Sequence, residues 1–291
     1  MRFEKWQALG NDYLIVEEIE LPFALTPARV RRLCEGHLGI YADGVLLLSA
    51  PERDGHVAEL RIFNPDGSEA ELSGNGAREA ILYLRRRGWT DRDEFAIGTL
   101  AGTIRPRITG PDTCTVDMGH ASLASAGYPD GPADGTGEIA AGGHTFRFQH
   151  VSIGNPQCAI RVSSVEELDA LDLPAIGPAI EGDARFPNRT NVSWFASLPG
   201  DGSARASIRA RIFERGVGET MSSGTGASGA AVAYAAQEAP GEAIGVRVVL
   251  DGGELTVDVA GDLGVNLTGW ARPVFEGRLS DDFEKELHET E

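Results

Sequence analysis

Lysine is nearly missing from this 291-residue chain: Lys5 and Lys285 are the only two, and the remaining basic residues are arginine. Acidic residues number 44 against 26 basic ones, a net charge of −18. A surface of that sign repels nucleic acid and anionic membranes, so neither is expected as a partner. Cysteine is scarce, with Cys34, Cys114 and Cys158 widely spaced and odd in number. That argues against a disulfide framework and for a reducing cytoplasm. The N-terminus has no apolar signal core. Nowhere is there a run of about 20 apolar residues able to span a bilayer. Six histidines show no metal-ligand spacing, so no metal is expected.

What the chain does have is an internal repeat. Residues 61–80, RIFNPDGSEAELSGNGAREA, align without a gap on residues 211–230, RIFERGVGETMSSGTGASGA, at an offset of 150. Nine of these twenty positions are identical. A looser pair precedes them, ALGNDY (8–13) and SIGNPQ (152–157). Each half therefore reads as a Gly-Asn turn, strands, an Arg-Ile-Phe strand, a Ser-Gly-x-Gly turn and a helix. Two units indicate a duplicated domain rather than a solenoid, which needs three or more.

The strand segments alternate apolar and polar residues, as in AELRIFNP and ARASIRARIFER. ASGAAVAYAAQ is small and apolar all round, which predicts a helix buried inside its domain. The class is α+β: two pseudo-twofold-related, mostly β domains, each wrapped around a central helix. We place the first domain at residues 1–118 with the C-terminal segment 269–291, and the second at 119–268. The linker is expected in the glycine-rich stretch from Val116 to Glu138.

GTGASG (224–229) formally matches a dinucleotide fingerprint. It lies late in the chain, its repeat partner GNGARE lacks the third glycine, and the strands around it read as antiparallel, so a nucleotide site is not expected. A helix start with free N–H groups also suits a carboxylate. Two such starts converging on one ligand would set Ser73 and Ser223 on opposite sides of the carbon next to that carboxylate. That arrangement can invert an α-carbon, one group removing a proton and the other delivering one. Spacing alone equally allows both serines to be plain helix N-caps.

The segments ALGNDY, FNPDGSEAELSGNGAR, VSIGNPQC, FPNRTNV, FERGVGETMSSGTGAS and GWARPVFEG, in this order, resemble diaminopimelate epimerase. The resemblance implies a cofactor-independent isomerase of a free amino acid, LL-/meso-diaminopimelate, serving lysine and peptidoglycan-precursor biosynthesis. It implies the site between two domains and a second copy of the chain as an open option. It assigns Asn11, Asn64, Asn155, Asn191, Glu214 and Arg215 to the substrate's distal end. Gly74-Asn75 and Gly224-Thr225 are assigned to the reacting carboxylate. The asparagines also fit a turn-forming role. The two catalytic positions, cysteine in the family, are Ser73 and Ser223 here, and a supporting histidine is Gln157. A serine hydroxyl is far less acidic than a thiol and rarely acts unaided. Gln157, a third change, speaks for a divergent branch rather than for substitutions made to trap a ligand. Tyr41 and Gly44 also depart from the family pattern. Two alternatives stay open: an inactive or weak amino-acid-binding homologue, and an isomerase with a carboxylate base, Glu214, Asp66 or Glu79.

Overall fold

The computed structural model describes residues 1–200 and 205–290. Ala204, where one expected strand begins, and Glu291, the last residue of the first expected domain, lie outside them. Contacts divide the chain into two units, residues 1–116 with 269–291, and residues 117–268.

The first unit begins with β1 (Arg2–Ala8), β2 (Asn11–Glu17) and α1 (Pro27–Cys34), followed by β3 (Val45–Ser49), β4 (His56–Phe63) and the short β5 (Glu69–Ala70). Next come α2 (Gly74–Arg86), β6 (Ala96–Thr99), β7 (Gly102–Ile104) and β8 (Arg107–Gly110), and the chain leaves the unit within β9 (Thr113–His120). The second unit holds β10 (Thr136–Ala141), β11 (His144–Ser152), β12 (Pro156–Arg161), α3 (Val165–Ala170), α4 (Leu173–Glu181) and β13 (Asn191–Ser197). It continues with β14 (Ala206–Glu214), β15 (Gly218–Thr220), α5 (Gly224–Glu238), β16 (Ile244–Leu250), β17 (Gly253–Val259) and β18 (Gly264–Trp270). β19 (Arg272–Arg278) and α6 (Asp281–Glu289) complete the first unit.

In the first unit the sheet runs β19-β1-β2-β3-β4-β6-β7, with β5 paired to β4. In the second it runs β10-β11-β12-β13-β14-β16-β17-β18, with β15 paired to β14. The repeat recurs in the pairing register. Ile62 pairs with Ala70 and Phe63 with Glu69, while Ile212 pairs with Thr220 and Phe213 with Glu219. The same ion pair crosses both ladders, Arg61 to Glu69 at 2.8 Å and Arg211 to Glu219 at 2.7 Å.

The expectation of antiparallel strands around the glycine turns needs correction. β4 pairs parallel with β6, and β14 with β16. Between each pair lies the central helix, which serves as the crossover that parallel strands require.

Each central helix lies inside its unit. Residues Gly74 to Leu84 of α2 are all buried, and α2 packs on β1, β2 and β3. Its Ala77, Ala80, Ile81 and Leu84 are 0 % exposed. α5 is buried through Gly226–Ala233 and packs on strands from β11 to β17. Its lack of side-chain bulk lets six strands approach it closely. A large side chain such as Ile or Phe fully removed from water stabilises by about 1.5–3 kcal/mol, so Ile and Phe on the strands supply what the alanines of α5 do not. Phe195, Ile208 and Ile212 are fully buried around it, while Trp194, on the opposite face of β13, packs with Leu168, Leu173 and Ile176 of α3 and α4.

Candidate functional site: two unlike helix starts

In the first unit, Ser73 is the N-cap of α2. Its backbone is extended and its Oγ accepts the Gly76 N–H at 3.1 Å. A second donor reaches the same oxygen, the Tyr13 hydroxyl at 3.3 Å. Two donors on one hydroxyl oxygen leave its own proton to point elsewhere. Tyr13 comes close because position 44 is glycine. A Cβ there would lie 2.7 Å from the tyrosine ring and 2.2 Å from the Phe63 carbonyl oxygen. The departure from the family pattern at Gly44 thus has a steric reason in this chain.

Beyond the cap, side chains form a line. The Arg78 Nη2 donates to Asn75 Oδ1 at 2.7 Å, Asn75 Nδ2 to Asn11 Oδ1 at 3.2 Å, and Asn11 Nδ2 to Asp43 Oδ2 at 2.7 Å. The guanidinium, which has no acceptor, fixes which way the Asn75 amide faces. Asp43 also accepts the Asp12 N–H, and Asp12 pairs with Lys5 at 3.0 Å. Burial raises the Asp12 carboxyl above its ordinary value, with Lys5 opposing. Asn64 is not part of this line. Its side chain donates to Ser68 Oγ and its backbone closes the turn before β5, the turn-forming role open to it from sequence.

In the second unit, Ser223 caps α5 in the same extended conformation, its Oγ accepting the Gly226 N–H at 3.2 Å. Both serines are therefore N-caps. Ser223 differs in where its proton goes: the hydroxyl donates to Glu214 Oε2 at 2.9 Å. The other carboxylate oxygen, Oε1, accepts from the Thr220 hydroxyl at 2.9 Å. Ser223 is 3 % exposed.

One asparagine of this unit reaches its helix start and another holds the loop after β14. Asn155 Nδ2 donates to Thr225 Oγ1 at 3.3 Å and its Oδ1 accepts from Gln157 Nε2 at 2.6 Å. Gln157 Oε1 is buried without a partner among the described residues. Gln157 fits because position 229 is glycine, where a Cβ would lie 2.9 Å from its side chain. Asn191 Nδ2 donates to the Pro156 carbonyl, and its Oδ1 accepts the Arg215 N–H at 2.9 Å. The Arg215 guanidinium is exposed and donates to the Asn188 carbonyl at 2.8 Å. Its loop is held by Glu181, which is 4 % exposed, accepts the Gly216 N–H at 2.7 Å and pairs with Arg189 at 2.5 Å.

Of the three carboxylates considered as bases, Glu214 alone touches a candidate serine. Asp66 is exposed and held below its ordinary range by Ser68. Glu79 is fully buried in α2. The cysteines offer no substitute. All three are buried, and burial pushes the Cys34 and Cys114 thiols up to about 12. Tyr13, Thr220, Arg78 and Glu181 were not singled out from the sequence. Tyr13 and Arg78 sit inside the motifs ALGNDY and SGNGAR, so their positions were visible although their partners were not.

The diaminopimelate epimerase family model matches residues 3–124 and 149–272. The diaminopimelate epimerase of Desulforudis audaxviator (strain MP104C) is 40% identical over 288 residues, spanning 96% of this chain and 99% of that protein. That of Laribacter hongkongensis (strain HLHK9) is 37% identical over 283 residues, with 96% and 99% covered. The chain belongs to the diaminopimelate epimerase family. Its activity class is therefore that of an amino-acid epimerase, an isomerase. Solved structures share the fold at low identity. A phenazine biosynthesis protein of the PhzF family from Bacillus anthracis superposes with a TM-score of 0.69 at 17% identity, covering 96% of this chain and 99% of that one. A hydroxyproline epimerase from Agrobacterium vitis gives 0.66 at 15% identity, covering 97% and 93%. No helix among the described residues is long and apolar enough to cross a membrane.

Proposed function

We propose that this enzyme of the diaminopimelate epimerase family inverts the α-carbon of diaminopimelate, in the cytoplasm and on the route to lysine, with Ser73 and Ser223 at the two proton-transfer positions. The observation that carries the reading is the Ser223–Glu214 contact. A lone serine is a poor base, but one that donates to a carboxylate can accept a proton while passing its own on. In that step the α-C–H bond breaks, its proton goes to Ser223 Oγ, and the Ser223 proton goes to Glu214. The electron pair stays on the α-carbon and spreads into the adjacent carboxylate. Ser73 delivers its own proton to the opposite face. Its O–H bond breaks as the new C–H bond forms, and the electron pair stays on Ser73 Oγ under the Tyr13 O–H and Gly76 N–H donors. After product leaves, solvent takes the proton from Glu214 and reprotonates Ser73. The α2 and α5 starts supply N–H groups at Gly74-Asn75 and Gly224-Thr225 for the reacting carboxylate, where charge develops. Asn64, Asn155, Asn191 and Arg215 are assigned to the distal amino-acid end. Asn11 belongs to the same assignment and Gln157 supports Asn155.

The test is α-proton exchange in D₂O followed by NMR, with LL- and meso-diaminopimelate. Deuterium entering the α-position together with interconversion of the isomers is the expected result. A second reading, a binding protein without turnover, draws on the caps themselves, since Gly76 and Gly226 already account for both serines. Ligand binding by calorimetry with exchange at the uncatalysed rate would favour it.

A further inference from the structure

Arg78 is 0 % exposed, yet no carboxylate among the described residues forms an ion pair with it. Its Nη1 donates to the Gly74 carbonyl at 2.9 Å and its Nη2 to Asn75 Oδ1 at 2.7 Å, and its Nε is buried without a partner. A guanidinium keeps its proton even when buried. Taking such a charge out of water without a counter-charge is strongly unfavourable.

The neighbouring acids do not cancel it. Glu79, next in the chain and 0 % exposed, forms no ion pair among the described residues, and its carboxyl is reached by the Tyr13 backbone. Desolvation pushes that carboxyl well above its ordinary value, toward the neutral form, and outweighs the opposing pull of the Arg78 charge. Asp12 is engaged by Lys5, and Asp43 by Asn11 and the Asp12 N–H. A positive charge thus remains beneath the first turn of α2. The other half shows that the local geometry does not require it. At the repeat-equivalent position, Ser228 holds the Gly224 carbonyl with a neutral hydroxyl at 2.8 Å. One half uses a hydroxyl for the same backbone contact and the other a cation.

We propose that Arg78 is a positioning residue for the reacting carboxylate: it locks the Gly74-Asn75 turn and its buried charge makes that turn selective for an anionic ligand. The inference rests on the reading that this turn holds the reacting carboxylate. Arg78 acts through Gly74 and Asn75, with the helix dipole adding to its field.

The experiment compares the full-length wild type, Arg78→Lys and Arg78→Met. Two ligands are used: diaminopimelate, and its mono-amide with the amide at the reacting end. Calorimetry measures binding and D₂O exchange measures turnover. Wild type should prefer the carboxylate over the amide by about 30-fold or more, the range for one well-placed charge. Arg78→Met should lose most of that preference, and Arg78→Lys should recover part of it. If Arg78→Met does not fold, a weakened preference in folded Arg78→Lys still supports the proposal, and an unaltered one overturns it. A folded Arg78→Met with wild-type preference, and only a lowered Tm, also overturns it. Failure of the epimerase reading looks different: wild type itself then exchanges no α-proton with diaminopimelate.

Discussion

The two halves share a register, a cap and an ion pair, but they surround their serines with opposite chemistry. At α2 the serine oxygen is approached by donors, Tyr13 O–H and Gly76 N–H, above a guanidinium that forms no ion pair among the described residues. At α5 the serine hydroxyl faces a carboxylate, and the helix behind it carries neither acid nor base before Glu238. Duplication thus preserved the backbone device, a serine-capped helix start, while the side chains around it diverged, and the proposed roles of donating and accepting a proton follow that divergence. In either direction an inversion uses one group that takes a proton and one that gives it, and the proposal assigns these roles to the two unlike halves.

Restoring thiols should give the largest effect. Ser73→Cys with Ser223→Cys should raise epimerisation on the order of 10²-fold, since a thiol carries protons that a hydroxyl transfers with difficulty. The single variants sharpen the comparison. A thiol at 73 sits at a helix start over a cation, whereas one at 223 faces Glu214. The Ser73→Cys thiol should therefore titrate lower, read from the pH dependence of its alkylation. Equal titration of the two would mean that the halves are electrostatically alike.

Smaller, but directed at one side, is Glu214→Gln. It keeps the size and a hydrogen bond at Ser223 but removes the proton acceptor. Turnover measured by D₂O exchange should fall about 10²-fold, the usual scale for losing a general base, with modest change in ligand affinity. Unchanged turnover would remove Glu214 from the proton path.

The smallest effect concerns stability. Burial raises the Glu79 carboxyl well above 4.5 in the folded protein, so the folded state holds a proton that the unfolded chain has released. Stability contributed by this group is complete below the unfolded value and declines as pH rises from there toward the folded one. Glu79→Gln removes that decline. Relative to wild type, its Tm should be near parity at pH 4 and higher by a few degrees at pH 8. A Tm difference that does not grow with pH would show that Glu79 is ionised when folded. It would then offset Arg78 and weaken the contrast between the halves.

Much of this asymmetry could not be read from the chain. The offset of 150 revealed the duplication, and the small residues of ASGAAVAYAAQ announced a buried helix, because both signals are local. The serines were legible as cap and candidate site at once, and the structure leaves both readings in place. Parallel pairing of β14 with β16 was missed because alternation reports burial, not strand direction. Tyr13 and Arg78 lie 60 and 5 residues from Ser73, so their significance depends on a side chain crossing from β2 and another folding back along α2. Gly44 appeared only as a departure from a pattern. Its reason, room for the Tyr13 ring against the Phe63 carbonyl, is a three-dimensional one.

The most direct test of unequal halves is deuterium exchange by Ser73→Ala and Ser223→Ala, side by side, starting from one stereoisomer of diaminopimelate. With Ser223 and Glu214 intact, Ser73→Ala should still remove the α-proton and return deuterium to the same face, giving exchange without inversion. Ser223→Ala keeps a donor but has lost the hydroxyl through which Glu214 accepts, and should show neither exchange nor inversion from that isomer. Identical behaviour of the two variants, whichever isomer is used, would contradict the account.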